Sequence, residues 1–125
     1  LPLILNKIEK NKRKTMVLDA IESVGLSDKI SSKPNQLSGG QCQRTAIARA
    51  IVHRPSLVLA DEPTANLDSE NSHHIMKIMK DLNTNLDTSF IFATHDDKIM
   101  GYLNRIIYLE DGQISKDKEI KKPKY

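Results

Sequence analysis

The sequence has 125 residues, which is the length of one ordinary domain or of part of a larger one. No apolar stretch approaches the roughly 18 residues that cross a bilayer, and the single cysteine, Cys42, excludes an internal disulfide. The net charge of +3 comes from lysine-rich segments at residues 7–14 and 116–124, so the middle of the chain is acidic. This distribution argues against a folded body that binds nucleic acid through a basic stripe.

Two helices are predicted first along the chain. Apolar residues recur at helical spacing in the first of them: Met16, Val17, Ala20, Ile21 and Val24. Gly25 ends that helix. The second begins at Ser38 and runs to about His53, and Ser38 and Gln41 stand at capping-box spacing. These patterns predict two helices, separated by a polar loop, within the first 54 residues.

The second half of the chain alternates strand and helix. The runs 57–60 and 89–94 are short, apolar and rich in branched or aromatic residues, which predicts two strands covered on both faces of a parallel sheet. One apolar helix face lies between them: Ile75, Ile78, Met79 and Leu82. A third strand at 105–109 turns at Asp111-Gly112 into a short hairpin. This order predicts an α/β fold.

Polar residues stand at the ends of these elements in an order that suits a nucleoside triphosphate. Gly39 and Gly40 leave amides uncovered at a helix N-terminus, where an anion is favoured, and Ser38 adds a hydroxyl. Asp61 follows a buried strand, where α/β sheets bind ligands, and its carboxylate suits Mg²⁺. Glu62 is a candidate general base.

His95, at the end of the next strand, is a candidate donor to the terminal phosphate. Each of these signals is more often structural when it stands alone. Their occurrence together, in this order and each at the end of an element, favours a functional interpretation.

The motifs resemble those of the ATP-binding-cassette (ABC) ATPases. Residues 37–41 resemble the signature motif, 57–61 Walker B, Glu62 the catalytic glutamate, 65–68 the D-loop and His95 the switch histidine. The resemblance implies a P-loop NTPase-like parallel sheet with part of the helical subdomain, with ATP and Mg²⁺ as cofactors. It implies catalytic roles for Glu62 and His95, a metal-binding role for Asp61, and a set of nucleotide-binding residues: Ser38, Gly39, Gly40, Gln41, Asp61 and Asp68.

The resemblance also suggests a branch and a domain organisation. The segment 59–68, with the opening Leu1-Pro2-Leu3, is similar to lipoprotein-releasing and macrolide-export ATPases, and lipoprotein release is favoured. Ala65, where that branch usually has glycine, and Cys42 depart from its pattern. We expect one domain over 1–115, with the helical subdomain at 1–54 and the part from Walker B to the final hairpin at 55–115. A charged tail is expected at 116–125.

One expected motif is missing, because no glycine begins the pattern Gly, four residues, Gly, Lys and Ser or Thr that cradles phosphates. The sequence is therefore interpreted as the carboxyl-terminal portion of a cassette, inactive alone. The resemblance implies a head-to-tail dimer with a second ATPase subunit. It also implies membrane permease partners, a peripheral position on the cytoplasmic side of the inner membrane, and no nucleic-acid partner.

Two alternatives stay open at this point. One is a chromosome-maintenance or DNA-repair ATPase of the same superfamily, although residues 1–34 show no heptad repeat of the kind that precedes the signature in those proteins. The other is a truncated, non-catalytic remnant.

Overall fold

The computed structural model describes residues 2–121 and 123–125, and places helices before an alternation of strand and helix. The helices are α1 (Pro2–Leu5), α2 (Lys10–Ser23), α3 (Gly39–Ile51) and α4 (Ser69–Leu86), and the strands are β1 (Leu57–Asp61), β2 (Ser89–Ala93), β3 (Arg105–Glu110) and β4 (Gln113–Glu119). Short 3₁₀ turns occupy Ser27–Lys29, Pro34–Gln36 and Asp97–Tyr102. The predicted mixture of helices with a parallel sheet is confirmed.

The parallel pair β1 and β2 determines where the functional residues lie. Leu57 stands opposite Ser89 and Asp61 opposite Ala93, so both strands end at the same edge. Helix α4 makes the crossover between them, as parallel strands require. Residues that follow Asp61 and Ala93 are therefore brought side by side, although about thirty positions separate them in the sequence.

The core is formed where α2, α3 and α4 pack together and onto the sheet. Its most buried apolar residues are Val24, Ile47, Ile51, Ile75, Met76, Met79, Leu82 and Ile99. Thr88 is completely buried just before β2, and its hydroxyl donates to the carbonyl of Pro55 at 2.8 Å. That bond satisfies a buried polar group and fixes the starts of β1 and β2 relative to each other.

The strands are covered on one face rather than on both, which corrects the prediction of doubly buried strands. Val58 points into the core and is 9% exposed, whereas Leu59 is 72% exposed and Ile91 is 56% exposed on the other face. The side chains alternate between the two faces of a strand. In the described part of the chain no element packs over the face that carries Leu57, Leu59 and Ile91, which we call the open sheet face.

Strands β3 and β4 form a separate antiparallel hairpin. Asp111 and Gly112 both have positive φ, 48° and 76°, which is the geometry of the tight turn that the sequence predicts. Strand β4 continues to Glu119, so the first four residues of the predicted charged tail, 116–119, are paired in the hairpin. Arg105 and Asp117 form a two-bond ion pair across the hairpin, at 2.9 and 2.6 Å, which favours this longer pairing.

The two sheets do not pair with each other. A cavity of about 620 Å³ lies between β2, β3 and α4, and residues from all three elements line it, including Phe90, Ile107 and Met76. The edge of β2 away from β1 has no strand beside it among the described residues. None of the described helices is both long and apolar enough to span a bilayer.

We expect the open sheet face to drive association of the 125-residue chain. The variant Leu59→Lys places a charge on this face and should raise solubility while the fold is kept, because a charge on an exposed strand opposes aggregation. Sedimentation and far-UV circular dichroism measure the two effects. The matched control is Val58→Lys, which puts the same charge into the core and should unfold the chain. Equal aggregation of Leu59→Lys and the parent would contradict this account.

Candidate functional site

The first half of the site is the start of helix α3. Ser38 caps the helix: its hydroxyl accepts from the Gln41 amide at 3.3 Å, and its own amide donates to Gln41 Oε1 at 2.9 Å. The capping box predicted from the sequence is confirmed. It holds residues 37–41, which we call the signature turn, with helix amides at the surface beside the exposed Gly39. An anion is the ligand that such a helix start favours.

The signature turn packs against the start of α4. A Cβ on Gly40 would lie 2.7 Å from Asn71 Oδ1, so any larger residue there requires the Asn71 side chain to shift. Asn71 is itself held by Asp68, whose carboxylate accepts from the Asn71 amide at 2.8 Å and from Asn71 Nδ2 at 2.9 Å. These bonds keep the pKa of Asp68 below its ordinary value. Asp68 thus caps α4, and its nucleotide-binding role stays a prediction.

The second half of the site is at the end of the parallel strands. Glu62 follows β1 with a φ of 45°, an uncommon conformation for a residue other than glycine. Its amide donates to the carbonyl of Ala93 at 2.8 Å, which extends the ladder between β1 and β2 by one bond. Such conformations occur at functional sites, where the surrounding structure holds them. Here the turn directs the Glu62 carboxylate towards the residues after β2.

Two side chains hold the Glu62 carboxylate. His95 Nδ1 lies 2.6 Å from Oε1, and the Thr94 hydroxyl donates to Oε2 at 3.0 Å. The hydrogen bond from His95, and to a smaller extent that from Thr94, lowers the pKa of Glu62 against the opposing effect of burial. Glu62 is therefore ionised at neutral pH and able to accept a proton.

The pairing also assigns the hydrogen on the histidine ring. An ionised carboxylate only accepts hydrogen bonds, so Nδ1 of His95 carries a hydrogen. The imidazole is 91% exposed, which leaves Nε2 open to a ligand. With Nδ1 carrying a hydrogen, Nε2 can donate to a phosphate oxygen only in the doubly protonated ring. The predicted pair Glu62 and His95 is thus one hydrogen-bonded unit.

Asp61 is the candidate magnesium ligand. It is exposed at the last position of β1, opposite Ala93. No group of three or more His, Cys, Asp or Glu side chains arranged for a metal occurs in residues 2–121 and 123–125. A single carboxylate nevertheless fits Mg²⁺, since this ion keeps several waters and is commonly bound by one or two carboxylates plus substrate phosphates. The donor set suits Mg²⁺ carried by a nucleotide.

The sequence reasoning missed a second layer of residues around these groups. Thr94 and Asp96 flank His95, the Asp96 amide donates to the Thr94 hydroxyl at 3.0 Å, and the Thr64 hydroxyl donates to Asp96 Oδ2 at 3.1 Å. Asn71 is the other missed residue. The sequence offered two signals for these residues. One is the threonine at the end of a strand, and the other is the spacing of three between Asp68 and Asn71.

The two halves of the site are not directly bonded to each other in the described residues. None of the described hydrogen bonds joins the signature turn to Glu62 or His95. Ala65 stands where the similar ATPases usually have glycine, and the loop 63–68 shows why alanine is tolerated there. The residue of this loop with a positive φ is Asn66, at 64°, so Ala65 does not need the conformational freedom of glycine. Asparagine tolerates that conformation well.

Together, the fold and this site define part of a P-loop NTPase-like α/β domain. The sequence model described as ABC transporter matches residues 3–65. The chain therefore belongs to the ABC transporter family, and the resemblance inferred from the motifs is confirmed.

Similar proteins agree with this assignment. The chain is 45% identical to the lipoprotein-releasing system ATP-binding protein LolD of Pseudoalteromonas translucida (strain TAC 125), over 92% of this chain and 50% of that protein. It is 42% identical to the ABC transporter ATP-binding protein YtrE of Bacillus subtilis (strain 168), over 90% of this chain and 48% of that protein. The chain thus spans about half the length of these relatives.

A solved structure gives the same answer for the fold. The ATP-binding cassette MJ0796, in a dimeric post-hydrolysis state bound to ADP and Pi, superposes with a TM-score of 0.77 and 38% identity. The match covers 95% of this chain and 53% of that one.

The contact between Gly40 and Asn71 gives a first prediction for the site. Gly40→Ala should lower the free energy of unfolding by about 1–3 kcal/mol, because the new methyl group overpacks against Asn71. Urea unfolding at low protein concentration measures this. Gly39→Ala is the control, since its nearest neighbour outside the turn, Leu67, lies 3.9 Å away. Adding Asn71→Ala should restore part of the loss, and strictly additive effects would contradict the contact.

The pair of Glu62 and His95 gives a second prediction. The pKa of Glu62 is lowered in the folded chain, so the pair contributes stability above the unfolded-state pKa and loses it as pH falls through the folded-state pKa. In His95→Ala the pKa of Glu62 should rise, which carboxyl ¹³C NMR titration measures. The pKa of Asp68, set by Asn71, is the internal control and should not move. An identical Glu62 titration in both chains would refute the pairing.

Proposed function

We propose that this chain is the catalytic and signature portion of an ATP-hydrolysing subunit of an ABC transporter. The observation that carries the proposal is the Glu62 carboxylate, held between His95 and Thr94 at the shared end of two parallel strands. Family membership and the similarity to LolD proteins support the coarse assignment. Lipoprotein release is the transport process proposed, since several of the similar proteins are named for it.

Glu62 acts as the general base in the proposed reaction. Its lowered pKa keeps the carboxylate ionised, and its position at the end of β1 lies where open α/β sheets bind ligands. The carboxylate orients a water molecule and accepts a proton from it as the water attacks the terminal phosphate. A positioned base of this kind contributes about 10²- to 10⁴-fold in rate.

His95 contacts the terminal phosphate in this proposal. Its side chain is exposed, and its Nδ1–H is already held by Glu62, so Nε2 is the ring nitrogen left for a ligand. The doubly protonated ring donates to a phosphate oxygen and places positive charge beside it. Because the same ring touches Glu62, phosphate contact and base orientation are linked through one side chain.

Asp61 is the residue proposed to hold Mg²⁺ with the nucleotide. When bound, the ion neutralises phosphate charge and orients the phosphates. Asp61 and Glu62 are adjacent in the chain but differ in environment, since only Glu62 has side-chain partners among the hydrogen bonds described. This difference supports separate roles for the two carboxylates.

The signature turn is proposed to bind ATP that lies on a second subunit. Its helix amides and the Ser38 hydroxyl suit a phosphate, and no hydrogen bond in residues 2–121 or 123–125 connects the turn with Glu62 or His95. A head-to-tail dimer lets each subunit contribute the signature turn to one nucleotide and Glu62 to the other. Asp68 and Asn71 hold the turn in place for that contact.

The chain is proposed to need a further polypeptide segment to complete its own nucleotide site. It has no phosphate-cradling motif and spans about half of its relatives. The unpaired edge of β2, the cavity of about 620 Å³ beside it and the open sheet face are places where such a segment can add a strand and cover apolar side chains. The 125-residue chain alone is expected to hydrolyse no ATP.

The partners and location follow from the proposed transporter role. The intact subunit is proposed to bind membrane permease subunits at the cytoplasmic side of the inner membrane and to transmit ATP hydrolysis to them. The middle of the chain is acidic, and this charge distribution does not favour a nucleic-acid partner.

The test compares the complete cassette that carries this sequence with the 125-residue chain. Glu62→Gln in the complete cassette should reduce ATP hydrolysis by about 10²-fold or more while ATP binding is kept. Glu110→Gln is the matched control, because Glu110 also ends a strand but is exposed and has no described side-chain bond. Phosphate release and nucleotide-binding assays measure the two effects. ATPase activity of the 125-residue chain that disappears with Glu62→Gln would refute the proposed incompleteness.

A further inference from the structure

Thr94 lies between the end of β2 and His95, and its hydroxyl contacts two groups of the site. We propose that Thr94 is a positioning residue that fixes the orientation of the Glu62 carboxylate towards the attacking water. This inference rests on the proposed function of Glu62 as a base. In this role Thr94 orients the Glu62 carboxylate and does not itself contact the substrate.

The direction of the Thr94 hydrogen bonds is determined by its neighbour. The hydroxyl has one hydrogen, and it accepts the Asp96 amide hydrogen at 3.0 Å. Its own hydrogen is thereby directed to Glu62 Oε2, also at 3.0 Å. The carboxylate oxygen always receives a donor from this side, which favours the ionised form that a base requires.

Two anchors are needed to orient a carboxylate, because a single hydrogen bond leaves it free to rotate. His95 holds Oε1 and Thr94 holds Oε2. The His95 side chain is 91% exposed, whereas Thr94 is partly buried next to the strand. Thr94 is therefore the fixed anchor of the pair, and His95 is the one that can respond to a ligand.

The loop that carries Thr94 is tied to the segment after Glu62. Asp96 accepts from the Thr64 hydroxyl at 3.1 Å and from the Lys98 amide at 3.0 Å. Thr64 is 3% exposed, so its side chain is fixed by the core. The amide of Asp96 that directs the Thr94 hydroxyl is held in place by these bonds, and the orientation of Glu62 depends on the whole loop 94–96.

The experiment uses the complete cassette and three threonine variants. Thr94→Val keeps the shape and removes the hydroxyl, and it should lower kcat for ATP about 10- to 100-fold while KM changes less than about threefold. Thr94→Ser keeps the hydroxyl and should retain activity within about threefold of the parent. Thr84→Val removes an exposed hydroxyl that bonds its own helix carbonyl in α4, and should leave kcat unchanged.

The outcomes separate this inference from the proposed function. Loss of kcat in Thr94→Val with recovery in Thr94→Ser supports the positioning role, since a merely structural residue would also change thermal stability and KM. The inference is overturned, and the base assignment stands, if Glu62→Gln abolishes hydrolysis but Thr94→Val has the activity of the parent. The inference is also overturned if Thr94→Ser has as low a kcat as Thr94→Val. If Glu62→Gln remains active, the proposed function itself fails. Thr94→Ala provides the same comparison where Thr94→Val does not fold.

Discussion

The register of the two parallel strands is the constraint on which the site depends. Asp61 faces Ala93, so the residues that follow each strand meet although Glu62 and His95 are 33 positions apart. The bond from the Glu62 amide to the Ala93 carbonyl extends this register beyond the strand itself. A slip of one residue would reverse every side chain on one strand and separate the carboxylate from the imidazole. The geometry of the site therefore depends on the pairing of β1 with β2.

That pairing has support on one side only. The starts of the strands are fixed by Thr88 and its bond to the Pro55 carbonyl, and the inner face packs on α3 and α4. Leu59 and Ile91 remain exposed on the other face, and the outer edge of β2 has no neighbour in the described residues. Apolar area left in water contributes nothing to the free energy of folding. A segment that covered the open sheet face would therefore stabilise the same strands that position the base.

The sequence predicted features that depend on local chemistry. The capping box of Ser38 and Gln41 and the Asp111-Gly112 turn were predictable because each needs only a few neighbouring residues. The burial of Leu59 was predicted wrongly, because an apolar run shows that a strand is suited to double coverage, not that both layers are present in this chain. Thr94 and Asn71 were missed because their contacts depend on strand register and helix packing over long sequence separations.

The two halves of the site are mechanically connected by one short segment. Five residues separate Glu62 at the end of β1 from Asp68 at the start of α4, and within them Pro63 and Thr64 are buried. Thr64 holds the loop after β2 through Asp96, while Asp68 holds Asn71 against the signature turn. Each end of this segment is therefore held by side-chain contacts with one half of the site. In a dimer where the turn binds a partner's nucleotide, the same contacts would let nucleotide at one site influence the base at the other.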